Sequence, residues 1–259
     1  MPYHMRSPSL SFLCALLFLA ACTKDPELPA NGAEGGTEGT LKLTVKPVWQ
    51  GGPFHKDSVY LAAGGQRIQV SELKFYLAPL ALEDASGLHQ VFDVDLFQVV
   101  NGAETRVAAV PPGAYHAVHW GLGLPYDLNH LDLATIPVNA PMGNNSGMYW
   151  EWATMYKFVI FSGHFDSDPS GAGAPPFLFD IHTGLDTCYR TRTVPYNLTV
   201  TADDTTRLTV NVDIARFFTD GSRILDLSQG AMWHGDVNFL SLPLLAADLQ
   251  SAALSITPE

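Results

Sequence analysis

An all-β fold, an antiparallel β-sandwich with a short C-terminal helical segment, is what this sequence predicts, on three observations. Alternating apolar and polar runs recur at intervals of roughly ten to twenty residues. Glycine and proline are plentiful, 22 and 18 of 259 residues, and supply the turns that many short strands require. Helical periodicity is confined to one stretch near the end of the chain.

Residues 1–21 read as a leader. Arg6 precedes a run from Leu10 to Ala21 that is almost wholly apolar, about a dozen residues, too short for a bilayer span but suited to a signal-peptide core. Leu19-Ala20-Ala21-Cys22 matches a lipobox, which predicts cleavage before Cys22 and lipidation of that residue. The expected product is an outer-membrane lipoprotein, periplasmic or cell-surface. Residues 22–40 are rich in Gly, Pro, Glu and Thr and nearly free of large apolar side chains, the composition of a flexible tether. One domain over residues 41–259 follows.

Within that domain LKLTVKPVW (41–49) places Leu41, Leu43 and Val45 on one face of a strand and Lys42, Thr44 and Lys46 on the other. A second run lies in 68–84 and a third in 89–100, separated by the turn signal Asp84-Ala85-Ser86-Gly87. Pro111-Pro112-Gly113 turns the chain into AYHAVHWGLGL (114–124). Residues 196–218 read as a hairpin, two alternating β-branched runs around the polar Ala202–Thr206 turn. FLSLPLLAADLQSAA (239–253) has helical character, with Pro243 limiting its start.

Charge and cysteine usage narrow the function. The formal charge is −12, and loss of the leader removes Arg6 but no acid. A nucleic-acid partner, which requires a basic face, is excluded by that balance. So is electrostatic docking to an anionic membrane, which leaves the lipid as the expected anchor. Cys14 departs with the leader and Cys22 is the lipidation site, so Cys188 is the one thiol left and no internal disulfide can form. Catalytic signatures are missing: no HExxH, GxSxG, Walker loop or dinucleotide fingerprint occurs, and the expectation is that the protein is not an enzyme.

The segment GMYWEWATMYKFVIFSG (147–163) concentrates electron-rich side chains. Read as one strand, it sets Met148, Trp150, Trp152, Thr154, Tyr156, Phe158 and Ile160 on one bulky face, which suits the core side of a sheet. Among the histidines, His130 follows Leu128-Asn129, His182 precedes Thr183-Gly184 with Cys188 six residues on, and His234 sits in GAMWHGD. Imidazole, thiolate and thioether are ligands that copper favours. A buried, inert Cys188 and ordinary loop or core histidines are the plainer alternative.

Four stretches in order resemble the MbnP-like copper-binding family. They are Val70-Ser71-Glu72-Leu73-Lys74-Phe75-Tyr76-Leu77; the run Pro112-Gly113-Ala114-Tyr115, Gly121-Leu122-Gly123-Leu124-Pro125 and Leu128-Asn129-His130; Gly147-Met148-Tyr149-Trp150-Glu151-Trp152 with Tyr156-Lys157-Phe158; and His182-Thr183-Gly184 with Cys188. The resemblance implies an exported copper-binding protein for copper acquisition or storage, acting with a di-haem cytochrome c peroxidase-like partner that oxidises a tryptophan to kynurenine. Departures are Met155 where a Gly usually precedes the "YKF", and an absent earlier Cys. The ligands expected from it are His130 and His182, with Cys188 as a third and His234 as a further candidate. Trp150 and Trp152 are assigned to packing and are the candidates for oxidation. The competing expectation is a metal-free surface β-sandwich module that binds a protein or glycan partner through exposed aromatics.

Overall fold

The computed structural model of the protein describes residues 38–56, 58–150, 155–234 and 241–257. The expected leader, Cys22, residues 22–37 of the expected tether, and Trp152 lie outside them. The first alternating run forms β1 (Gly39–Trp49), with Leu41, Leu43 and Val45 buried. The short strands β2 (Gly52–Pro53) and β3 (Tyr60–Leu61) precede β4 (Arg67–Asp84). At the end of β4, Asp84 Oδ1 accepts hydrogen bonds from the N–H groups of Ser86 (2.7 Å) and Gly87 (3.2 Å), and β5 (Gly87–Phe92) folds back onto β4. β6 (Asp95–Gln98) pairs with β4 further along, so the third run is two strands.

β7 (Glu104–Val110) and β8 (Gly113–Leu122) flank the predicted Pro-Pro-Gly turn. They pair with β1 and β4 respectively, so that turn carries the chain between sheets. The helical turn α1 (Tyr126–Asn129) and a two-stranded ribbon, β9 (Tyr149–Trp150) with β10 (Met155–Tyr156), follow. Then come β11 (Val159–Asp166), β12 (Phe177–Thr183), β13 (Arg190–Val200), β14 (Thr205–Asp213), β15 (Met232–Trp233), α2 (Ser241–Ala252) and β16 (Leu254–Thr257).

One sheet runs β16-β14-β1-β2, with β7 also on β1; the other runs β13-β8-β4-β11-β12-β15, with β3, β5 and β6 also on β4. The fold is therefore the expected β-sandwich, with two exceptions to strict antiparallel pairing among the described residues: β1 with β14, and β12 with β15. Inward side chains from both sheets, among them Leu41, Leu43, Leu73, Phe75, Trp120, Phe161 and Ile181, make one core. A second core covers the outer face of the larger sheet, where Tyr76, Ala78 and Ile160 meet Met148, Tyr156, Phe158 and Cys188. Phe75–Ala78 of β4 and Val159–Phe161 of β11 alternate between the two cores, which is why these stretches read as continuous apolar runs. α2 joins the cores, giving Ala246 and Leu249 to the first and Ala247 to the second. Pro243 sits in its first turn, where the missing N–H costs nothing.

Two expectations are corrected. Residues 196–218 are not a hairpin: β13 pairs with β8 and β14 with β1, so the polar turn is an arch between sheets. Alternation marks each strand but does not say which neighbour it pairs with. Nor are residues 148–160 one strand. Met148, Tyr156, Phe158 and Ile160 do share the second core, but β9, β10 and β11 are separate strands and Trp150 has other neighbours.

Candidate metal centre

The outer face of the larger sheet carries polar side chains where the second core ends. In β12, Phe179 and Ile181 point into the first core, which turns Asp180 and His182 to the opposite face. β15 runs parallel to β12 with Asp180 opposite Met232 and Ile181 opposite Trp233. Trp233 is buried beside Ile181, so Met232 and, two residues on, His234 stand on the face of Asp180 and His182. β11 sets Ser162 opposite Asp180 and Ile160 opposite His182. Glu72 and Lys74 of β4 come next, opposite Ser162 and Ile160.

Asp180, His182 and His234 converge. Their ligating atoms all lie within 4.8 Å of one another, and no other group of three or more His, Cys, Asp or Glu residues does this among the described residues. Asp180 divides its carboxylate between the rings: His182 Nε2 is 2.6 Å from Oδ1 and His234 Nε2 is 2.8 Å from Oδ2. The Ser162 hydroxyl also donates to Oδ1. Partial burial works against ionisation of Asp180, but the bonds from His182, Ser162 and His234 outweigh it and hold the carboxyl well below the usual range. The His182 Nδ1 is buried with no hydrogen-bond partner among the described residues. Leaving a buried ring nitrogen unpaired costs about 1–3 kcal/mol.

Trp150 lies against both imidazoles. Its ring centroid is 5.6 Å from that of His182 and 5.5 Å from that of His234, edge to face in both pairs, and the two imidazoles are 5.2 Å apart. The Lys157 ammonium sits 5.6 Å over the Trp150 ring. Burial lowers the pKa of that ammonium. A cleft of about 480 Å³ opens beside the group, with Glu72, Lys74, Lys157, Asp180, His182 and Met232 on its walls.

The ribbon that carries Trp150 is braced from outside the sheet. Gly147, at φ 70°, starts it, and the Lys157 N–H donates to Met148 O at 2.8 Å. Buried Tyr156 donates its hydroxyl to Met142 O (3.0 Å) and its N–H to Asn129 Oδ1 (3.2 Å). Burial pushes the Tyr156 phenol up to about 12, so it stays a donor across the physiological range. Asn129 in turn donates to Asp186 Oδ1 at 2.7 Å.

The sequence-predicted residues divide accordingly. His182 and His234 come together, and Trp150 joins them. His130 does not: it stacks on Tyr126, with ring centroids 4.1 Å apart, and its Nε2 lies 3.0 Å from Asp186 Oδ2. Leu128-Asn129-His130 thus reaches Asp186 twice, through Asn129 and His130, and holds the ribbon through Asn129. Cys188 is buried in the second core with Sγ toward Pro243 O (3.9 Å), and burial pushes its thiol pKa up, away from the thiolate that binds metal. Among the described residues it belongs to no converging ligand group. Asp180 was missed by sequence reasoning, although Phe-Leu-Phe-Asp-Ile-His-Thr places two polar residues at alternate positions of an apolar strand.

The donor set fits copper. Two imidazoles with a carboxylate, one imidazole nitrogen buried without a partner, suit a late first-row divalent ion, and a soft ligand nearby would extend the choice to copper(I).

No curated protein matches the chain. Among solved structures, MbnP from Methylosinus trichosporium matches at 18% identity with a TM-score of 0.47, covering 78% of this chain and 82% of that one. The MbnP family model matches residues 38–233. That span holds β1 to β15, His182, Asp180 and Trp150, and ends one residue before His234; the chain belongs to the MbnP family.

Proposed function

We propose that this protein is an exported, lipid-anchored copper-binding protein, not an enzyme, serving copper acquisition or storage, with its metal site at Asp180, His182 and His234 beneath Trp150. The observation that carries the proposal is the convergence of three ligating atoms within 4.8 Å on a face that is otherwise packed or solvated. Copper bound there would accept lone pairs from the two imidazoles and the carboxylate. The chain's own contribution is to hold those donors. The parallel β12–β15 ladder fixes the spacing of the imidazoles, Asp180 and Ser162 restrict the rings, and Trp150 covers them.

Anchoring through Cys22 and residence at the outer membrane rest on the leader sequence. A di-haem peroxidase-like partner is proposed from family membership, and Trp150, next to both imidazoles, is the residue on which it would act.

Anaerobic copper(I) titration of the purified protein against a competing chelator, with a parallel copper(II) titration, tests the site. Wild type is expected to bind one equivalent, and His182→Ala and His234→Ala each to lose tight binding while keeping the β-rich circular dichroism spectrum. Tight binding that survives both substitutions would place the metal elsewhere. Kynurenine at Trp150 in the mass of native material would support the partner.

A further inference from the structure

We infer that Glu83, His116 and His119 form a second cation site, for a late first-row divalent ion of the zinc(II) type, separate from the site beneath Trp150. The inference does not depend on the copper reading. Glu83 lies on the order of 30 Å further along β4 than Lys74, by the rise of a strand.

Three strands build the group. β4 and β8 run antiparallel with Glu83 opposite Ala117 and Ala81 opposite His119, so Glu83 and His119 are diagonal neighbours. Leu80, Leu82, Val118 and Trp120 alternate with them and point into the first core, which turns both to the outer face. His116 is three positions from His119, and strict alternation would send it to the other side. The pairing with β13 slips at that point. Pro195 stands opposite Ala117 but Leu198 opposite Tyr115, which leaves two β13 residues against His116 alone. Such an irregularity re-aims a side chain. Glu83 Oε2 ends up 2.6 Å from His119 Nε2 and 3.9 Å from His116 Nε2. A hydrogen-bonded pair between β4 and β8 would need only His119. His116 lies beyond the last pair of that ladder, Glu83 with Ala117, so the ladder does not explain its approach.

The ring of His119 is held from its far side. Its Nδ1 is 2.9 Å from the hydroxyl of Thr193, its register partner on β13. Metal-binding histidines carry such an outer hydrogen bond, which fixes the ring while the other nitrogen binds. An ion with bonds of about 2.0–2.1 Å and tetrahedral angles needs its donors roughly 3.3 Å apart. Of the two spacings to Glu83 Oε2, one is shorter than that and the other longer, each by less than about 1 Å. The three donors are not yet as close together as those around Asp180, and rotation of His116, 55% exposed, closes the set. Imidazole and carboxylate without sulfur suit zinc(II) and copper(II) over copper(I). Ordering an exposed side chain costs binding energy, so this site is the weaker of the two, and a competing chelator keeps it empty in the copper titrations above.

Calorimetric titration with zinc(II) tests this on purified full-length protein without a histidine tag. The background carries His182→Ala and His234→Ala, which removes the imidazoles beneath Trp150. One equivalent of zinc is expected to bind, in the micromolar range. Adding Glu83→Gln or His119→Ala should weaken binding about tenfold or more, and adding His116→Ala about threefold or more. Adding His89→Ala, which touches the neighbouring Asp84, should leave it unchanged. The three side chains are all partly exposed, and circular dichroism checks that each variant folds. A second readout needs no further substitution in the protein titrated. The His116 and His119 ring resonances of the background protein, assigned from their loss in the alanine variants, should shift and saturate at one equivalent of zinc. No zinc binding in the background protein, stationary His116 and His119 resonances, or binding unaltered by any one of the three substitutions would overturn the inference. Each of those results would leave the copper reading untouched.

Discussion

Asn129 and His130 stand side by side in one motif and do different things. Asn129 is buried and satisfied at both ends, by the Tyr156 N–H and by Asp186. His130 is a partly exposed partner of the same carboxylate. Asn129→Ala strands a buried N–H and should cost about 1–3 kcal/mol in urea unfolding. It should also weaken copper binding although no proposed ligand has changed, because the ribbon bearing Trp150 loses its brace. His130→Ala removes a solvent-screened pair and the stack on exposed Tyr126, together worth about 1 kcal/mol, and should leave copper affinity at wild type. Loss of copper binding in His130→Ala alone would restore it as a ligand. In the sequence both residues were legible as a motif, but their roles were not. An imidazole draws attention as a ligand and an asparagine does not, while the contact that decides between them comes from residues 27 and 56 positions away.

At the scale of elements, strand positions were largely legible because each run is amphipathic or doubly buried, and pairing was not. The β12–β15 ladder joins residues some fifty positions apart in parallel, and two-residue β15 carries too little pattern to announce a partner. That ladder is what brings His234 to His182. The same limit turned a supposed hairpin into an arch and one supposed strand into a ribbon and a separate strand. A glycine in the predicted Gly-Leu-Gly-Leu-Pro run shows how the pieces lock. Gly123, after β8, has φ +94°, donates its N–H to Tyr76 O at 2.9 Å, and would place a Cβ 2.5 Å from Phe158 Cδ2. Phe158 is buried just before β11, with little room to yield. Gly123→Ala should therefore cost about 2–4 kcal/mol, strain and clash together. Gly102, at φ +136° with no atom within 4 Å of where a Cβ would stand, is the matched comparison. Gly102→Ala should cost only the backbone term of this glycine-favouring region, about 1–3 kcal/mol. Equal thermal shifts in the two variants would rule out the Phe158 contact as the source.

Across the whole molecule, α2 closes the fold at the point where both cores and both sheets meet, and one carboxylate ties it down. Asp248 on α2 accepts from Arg190 Nε at 2.7 Å, where β13 begins, and from Arg223 Nη1 at 2.8 Å, in the segment before β15. The sequence showed a helical stretch but not this clamp, since its three members lie far apart in the chain and charge alone names no partners. Partial burial opposes ionisation of Asp248, yet the bonds from Arg223 and Arg190 outweigh it and set its pKa below the ordinary value. A carboxylate with a lower pKa in the folded state contributes fully above its unfolded pKa, about 4, and loses that contribution as pH falls toward the folded-state value. The side chain is 36% exposed, so solvent screening limits the pair to about 1 kcal/mol. Asp248→Asn should lower stability at pH 7 by about that amount in urea unfolding, and the gap from wild type should narrow at pH 3 as the wild-type carboxylate takes up its proton. A gap that stays constant between pH 7 and pH 3 would mean that Asp248 acts through packing or hydrogen bonding and not through its charge.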